Sequence, residues 1–304
     1  MDPVEEINIS TLIQWANKTA KADRYSYKAK QRNLTLHRCI SNISPNLKSP
    51  IFLLGSPRSG TTFLGDCITQ LSEISYHFEP VATKAAARYV YEKRWSYGQA
   101  AYFYRAVYAW LMRLHWDGDL RFSEKTPRNC FIISFLAQVF PGAKFVHIIR
   151  DGRDAALSHS LKPWLQANQH KSAIYEPGGY PFGAYPRFWV ESERRDEFAQ
   201  TSDIHRCIWA WRRHVESAMK TLSKLPEESY HELRYESLVV NPEREGKALL
   251  SFLNVSNPQS QQKLFDKLSF AKATSIGNWR GALNQYQLAQ VDQEAGLLLE
   301  KLGY

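Results

Sequence analysis

Short, continuous apolar runs alternate along the chain with stretches whose apolar residues recur every three or four positions. The first such run, "IFLLG" at 51–55, reads as a buried parallel strand that stops at a glycine. From Thr61 the pattern changes period: Phe63, Leu64, Cys67, Ile68 and Leu71 share one helical face. "ISYHFE" (74–79) reads as a second strand, closed by Pro80, and 81–116 as an aromatic-rich helical stretch. "RFSEK" (121–125) is a third strand, with Thr126-Pro127 as cap and first position of a helix through "RNCFIISFLAQVF". "KFVHIIR" (144–150) is a fourth strand, and "DGRDAALSHSLK" opens the helix after it. Residues 203–223 read as helix, 230–239 as strand then turn, and "NPEREGKALLSFLNV" (241–255) as helix. Residues 8–36 predict a helix with a polar connection, and the tail predicts two polar helices around "ATSIGNWRGAL" (273–283).

This alternation predicts an α/β protein of three layers, a central, mostly parallel sheet flanked by helices, and the strand, tight loop and helix of "PIFLLGSPRSGTTFLGDCITQ" (50–70) make the fold P-loop-type. A chain of 304 residues suits one domain spanning 1–304. The stretch 163–200 breaks the alternation. It holds "YEPGGYPFGAYPRFW", rich in Gly, Pro and aromatics, and reads as a functional lid rather than a disordered linker.

Composition sharpens this picture in three ways. The net charge of +9 favours anionic partners, although a basic inert surface gives the same number. Aromatic–glycine RNA motifs are absent, so no nucleic-acid partner is expected. Cys39, Cys67, Cys130 and Cys207 lie far apart, which argues against a disulfide framework, and no Cys/His constellation predicts a metal. "MDPVEEINIS" has no apolar signal region and no run approaches the ~20 residues of a spanning helix, so a cytoplasmic protein is expected, with sequons such as Asn33-Leu34-Thr35 accidental.

Two stretches carry candidate chemistry. In "PRSGTTFL" (57–64) a glycine-rich turn feeds a helix, offering backbone N–H groups and the positive helix end to an anion. A triphosphate-binding loop would place Lys where Thr61 stands; here the cation is Arg58. "FVHIIRDGRDAALSHS" repeats the arrangement, with Arg150 ending a strand and Ser158 eight residues on. In open α/β sheets ligands sit beyond the carboxyl ends of the strands. The competing uses are a connecting turn for the first loop and an Arg150–Asp151 ion pair for the second. A nucleotide kinase and a non-catalytic nucleotide or RNA binder are the alternative readings of the chain.

Taken together, the two motifs resemble those of sulfotransferases that use 3′-phosphoadenosine 5′-phosphosulfate (PAPS), in order, setting and their spacing of about ninety residues. The likeness runs from about residue 50 to 285. With "EKTPRN" (124–129) it is most similar to the bacterial, tyrosylprotein and carbohydrate-type branch. It implies PAPS as co-substrate, no metal, and sulfuryl transfer to a hydroxyl or amine of a small molecule, glycan or lipid. It further implies that Arg58, Ser59, Gly60, Thr61 and Thr62 hold the 5′-phosphosulfate, and that Arg150 and Ser158 hold the 3′-phosphate. Tyr235, Ser275, Trp279 and Arg280 would lie about the nucleotide, with the Trp279 ring on the adenine. Glu79 is the implied general base, its pKa raised in a dry pocket. Alternation along a strand puts His77 on the same side as Glu79, as a second candidate base, with His159 and His147 as further ones. Lys125 would stabilise the leaving phosphate, unless it simply pairs with Glu124. The aromatic helix 81–116 and the segment 163–190 are the expected acceptor walls. Arg194, Arg195, Arg206, Arg212 and Arg213 form either an anion-attracting patch or a solvated helix face.

Overall fold

The computed structural model describes residues 7–30, 32–176 and 179–304. Met1–Glu6 of the acidic N-terminal stretch, and Pro177 and Gly178 of the Gly/Pro segment, lie outside the described residues. The chain opens with α1 (Leu12–Ser26) and α2 (Leu36–Ile43) and then enters the sheet. In order follow β1 (Ile51–Leu54), α3 (Thr61–Ile68), β2 (Ile74–Phe78), α4 (Val81–Tyr91), α5 (Tyr97–Leu114) and β3 (Arg121–Lys125). Next come α6 (Ile133–Val139), β4 (Lys144–Ile149), α7 (Gly152–Ser160), α8 (Arg195–Gln200) and α9 (Asp203–Leu222). The chain continues through β5 (Tyr230–Arg234), α10 (Tyr235–Val240), α11 (Pro242–Leu253), α12 (Pro258–Leu268), α13 (Trp279–Ala282) and α14 (Gln285–Lys301).

All four strand pairings are parallel, in the order β2-β3-β1-β4-β5. Such a sheet is buried on both faces, and the β1 run of four apolar residues is fully covered. Ile51, Leu53, Val146, Ile148 and Leu233 pack against α3, α10, α11 and α12. Phe52, Leu54, Phe122 and Phe145 face α1, α4, α5 and α6, while α7, α9 and α14 enclose a third cluster around Trp209 and Trp211. The expected three layers are therefore present. From β1 the chain crosses to build β2 and β3 on one side, then returns to lay β4 on the other. The central neighbours β1 and β4 each end in an anion-type loop, which is where a doubly wound sheet opens a crevice. No helix among the described residues is long and apolar enough to cross a membrane.

Some sequence boundaries shift. The stretch 81–116 is two helices, because the chain turns at 92–96 and Ser96 starts α5 with a capping box to Gln99. The helix expected after Thr126-Pro127 begins as a 3-10 turn, Pro127–Phe131. The turn expected after β5 is a short helix, α10. Of the aromatic residues of α5, Phe103, Tyr104 and Tyr108 are wholly buried core rather than pocket wall, while Tyr97, Tyr102 and Trp110 are exposed. Of the five clustered arginines Arg195 is exposed, but Arg194, Arg206, Arg212 and Arg213 form no open patch. Arg206 is 1% exposed and donates to backbone carbonyls, and the others bond Glu197, Glu294, Glu191 and Glu216.

Candidate active site

Every strand delivers a candidate residue at its carboxyl end, so the sheet itself gathers the site. After β1 the chain turns through Arg58, a non-glycine residue at φ 69°. Such left-handed backbone is costly and persists where the surroundings enforce it. Gly60 follows at φ 91°, and a Cβ there would lie 2.6 Å from Tyr235 Cδ2. Only glycine lets the ring of Tyr235 close against the loop at the start of α3. Ser59 is fully buried, Thr61 nearly so, and Thr61 and Thr62 both face a cavity.

The two anion motifs meet. Arg58 Nε donates to Ser158 Oγ at 3.0 Å, joining the β1 loop to α7. Arg150 donates to the carbonyl of Arg58 at 3.0 Å and to that of Ser275, and its guanidinium lies 5.0 Å from the Tyr235 ring centre. Trp211 Nε1 of α9 fixes the Arg150 carbonyl at 3.0 Å. Asp151 caps α7 and pairs with Arg153, not with Arg150. Burial and the neighbouring charge of Arg150 both lower the pKa of Arg58. Two guanidinium groups thus converge here with no carboxylate between them among the described residues. Arg150 Nε and Ser59 Oγ are buried without a hydrogen-bond partner. Buried donors left open in this way fit a site built for an anion.

The loop after α12 closes over this region. Gly277 and Trp279 donate their N–H groups to Asp154 of α7, at 2.6 and 3.1 Å. Asp154 is thus the latch of this loop. The Trp279 ring lies between Arg153 and the exposed Arg280, 4.0 and 4.9 Å from their guanidinium carbons, and packs against the α9 cluster.

The second half of the site lies at the ends of β2 and β3. Register pairs His77 with Glu124 and Phe78 with Lys125. The strand ends at Phe78, and Glu79 turns out of the alternation at φ 42°. That turn brings its carboxylate to Lys125, which it contacts through Oε1, while Lys84 of α4 holds Oε2 at 2.7 Å. Glu79 and Lys125 are therefore in contact. The expected partner of Lys125, Glu124, points to the opposite face and accepts from Tyr108, Thr126 and Asn129.

The expectation for His77 is corrected by the same geometry. Glu79 does not continue the strand, so the two residues do not share a face. His77 is wholly buried beneath α1, with Nδ1 at 3.1 Å from Asp23, and stacks on Phe122. His147 is buried in β4 opposite Glu232, at 3.4 Å. His159 does face the cavity, but burial, with Arg58 and Arg187 nearby, lowers its pKa to about 4. The expected rise in the Glu79 pKa is also reversed. Burial pushes its carboxyl up, but the ammonium groups of Lys125 and Lys84 outweigh burial and hold it well below the usual carboxylate range.

Between these parts lies a cavity of about 540 Å³. Its floor is Arg58, Thr61, Glu79 and Lys125, and its far wall comes from Trp164, Leu165, Glu176, Arg187 and Trp189 of the Gly/Pro/aromatic segment. Glu176 anchors that wall, taking Arg187 at 2.8 Å and Arg128 at 2.9 Å. Lys84, Arg128, Glu176 and Arg187 were not singled out from sequence. Lys84 was within reach of it, since a helix starting after Pro80 returns Lys84 towards Glu79. Glu176 lies in a stretch with no periodicity to read.

Burial raises the Glu176 pKa, but Arg187 and Arg128 prevail and bring it from 4.5 to about 2. The stability it contributes is then complete above about pH 4.5 and is lost as pH falls towards 2. Glu176→Ala should cost about 3–5 kcal/mol in urea unfolding at pH 7, because Arg187 would stay buried without its carboxylate. A loss below about 1 kcal/mol would mean that this wall adds nothing to the fold.

Comparison with known proteins agrees with this geometry. The model of the sulfotransferase family matches residues 50–259. Protein-tyrosine sulfotransferase A of Caenorhabditis elegans is 23% identical over 295 residues, covering 85% of this chain and 68% of that protein. Among solved structures, sulfotransferase STF9 from Mycobacterium avium superposes with a TM-score of 0.56 at 12% identity, covering 95% of this chain and 84% of the other. Mouse sulfotransferase SULT7A1, solved with PAP, gives 0.50 at 16% identity, covering 86% and 91%. The chain belongs to the sulfotransferase family, the PAPS-dependent enzymes whose paired anion motifs its sequence carries.

Proposed function

We propose that the protein transfers the sulfuryl group of PAPS to a hydroxyl, or an amine, of a small acceptor held in the cavity. One observation carries the reading: Arg58 and Arg150 converge beside open buried donors, at one edge of a cavity whose floor holds Glu79 against Lys125. The β1 loop, from Arg58 to Thr62, holds the 5′-phosphosulfate. Arg150 and Ser158 hold the 3′-phosphate, and Tyr235, Ser275, Trp279 and Arg280 cover the nucleotide. PAPS supplies an activated sulfuryl group with a bisphosphate to leave.

The residues of the chain supply the rest. Glu79 takes the acceptor proton. In the free protein it is a weak base, because two ammonium groups hold it. Drawing Lys125 towards an anion takes one of those charges away and raises the proton affinity of Glu79 at the site where a base is needed. Lys125 steadies charge on the leaving phosphate. The segment 163–200 acts as the lid, with Trp164 and Trp189 excluding water.

Incubation with radiolabelled PAPS and a panel of hydroxylated metabolites, glycans and peptides tests the reaction, label appearing on an acceptor being the expected result. Lys125→Ala should lower turnover by about 100-fold or more, as loss of a charge-stabilising donor does, while PAP affinity falls far less. A defect confined to affinity would overturn the role of Lys125.

A further inference from the structure

The charge of the cavity wall identifies the class of acceptor, on the assumption that the site works as proposed above. Once Arg58 and Lys125 are given to the phosphosulfate, Lys84, Arg128, Lys162 and Arg187 still line the cavity. Among the described residues lining the cavity, two carboxylates face them: Glu79, which keeps Lys84, and Glu176, which holds Arg128 and Arg187. His159 and His214 line the same space and, with pKa values lowered to about 4 and about 3 by burial, add no charge at neutral pH. The surplus is therefore positive. Lys162 is the member with no carboxylate at all: it is half-buried, lines the cavity beside Trp164, and its ammonium has no hydrogen bond or ion pair among the described residues.

A half-buried cation without a partner, set beside an aromatic wall, is stabilised when an anion meets it. Arg194, Arg212 and Arg213, by contrast, are held by glutamates of the protein itself. We infer that the acceptor carries its own anionic group beside the hydroxyl to be sulfated, and that Lys162 binds that group. The anion fixes which hydroxyl approaches Glu79, and a neutral acceptor forfeits the contact. The cavity of about 540 Å³ suits a molecule of one or two rings.

The test uses matched acceptors on the whole protein: para-hydroxyphenylacetate against its amide, glucuronic acid against glucose, and glucose phosphate as a phosphate arm. Binding to the PAP-loaded protein is measured by calorimetry, and transfer with radiolabelled PAPS. Anionic members should bind and react at least about tenfold better than their neutral partners, the usual worth of a charge-assisted contact. Lys162→Gln should bring that ratio close to one, and Lys162→Arg should restore it. The proposal is overturned if neutral members are preferred, if no anionic member binds, or if Lys162→Gln leaves the ratio unchanged. It is also overturned if Lys162→Gln weakens PAP itself to the same degree, since Lys162 would then belong to the nucleotide. Intact PAP binding in the unsubstituted protein separates these failures from a failure of the sulfotransferase reading, in which PAP would not bind at all.

Discussion

Glu79→Gln should lower kcat by about 10²- to 10⁴-fold, the usual contribution of a general base, without weakening PAP. Glutamine keeps the size of the side chain and loses the proton acceptor. It also releases the ammonium groups of Lys84 and Lys125 from their carboxylate, which favours anion binding. The pH dependence of the unsubstituted enzyme follows from the same pair. The Glu79 carboxyl in the free protein lies well below the usual range, because Lys125 and Lys84 overcome its burial. A base must be deprotonated, so rate is lost only as pH falls through its pKa. The kcat/KM profile, which reports the free enzyme, should show no acid limb between about pH 5 and 7. The kcat profile reports the loaded enzyme, in which Lys125 is engaged elsewhere, and its acid limb should lie at higher pH. Near-normal turnover in Glu79→Gln would move the base to another group facing the cavity, such as His159.

Much of this site was legible because its parts sit where local pattern is strongest. Buried parallel strands are short, apolar and punctuated, so β1, β3 and β4 could be read together with the residues that end them. Arg58, Lys125 and Arg150 come from such positions. What alternation could not show was where a strand stops. The single left-handed residue Glu79 undoes the inference that His77 accompanies it, and that conformation has no signature in a Glu-Pro pair. Long-range pairing was equally hidden. The contact of Arg58 with Ser158 spans a hundred positions, and the latch of Asp154 on Gly277 and Trp279 spans more. Nor does composition tell a charged surface from a charged interior. Arg194 and the arginines of α9 read as part of a patch, yet the fold brings Glu294 of α14 to Arg194 and Arg212, and Glu191 to Arg212.

Arg150→Ala should reduce affinity for PAP by about 30- to 100-fold, the scale of one or two hydrogen bonds to a charged group, while affinity for ADP falls much less. The reasoning rests on what Arg150 leaves open. Its two terminal nitrogens bond the carbonyls of Arg58 and Ser275, and its Nε is buried with no partner. The guanidinium is thus already oriented against Tyr235, with its charge unneutralised, and little ordering remains when a phosphate arrives. ADP shares the adenosine and the 5′-phosphates but lacks the 3′-phosphate, so it reports the part of the effect that comes from the loops alone. Those loops do depend on Arg150, through the same two carbonyls, and a modest loss for ADP is expected. Arg150→Lys separates the two contributions. Lysine keeps the charge but cannot bridge both carbonyls, so it should recover part of the PAP affinity if the charge matters most. Calorimetry with both nucleotides decides the matter. An equal loss for PAP and ADP would make Arg150 a brace between the β1 loop and the loop at Ser275, and the 3′-phosphate would have to be recognised elsewhere.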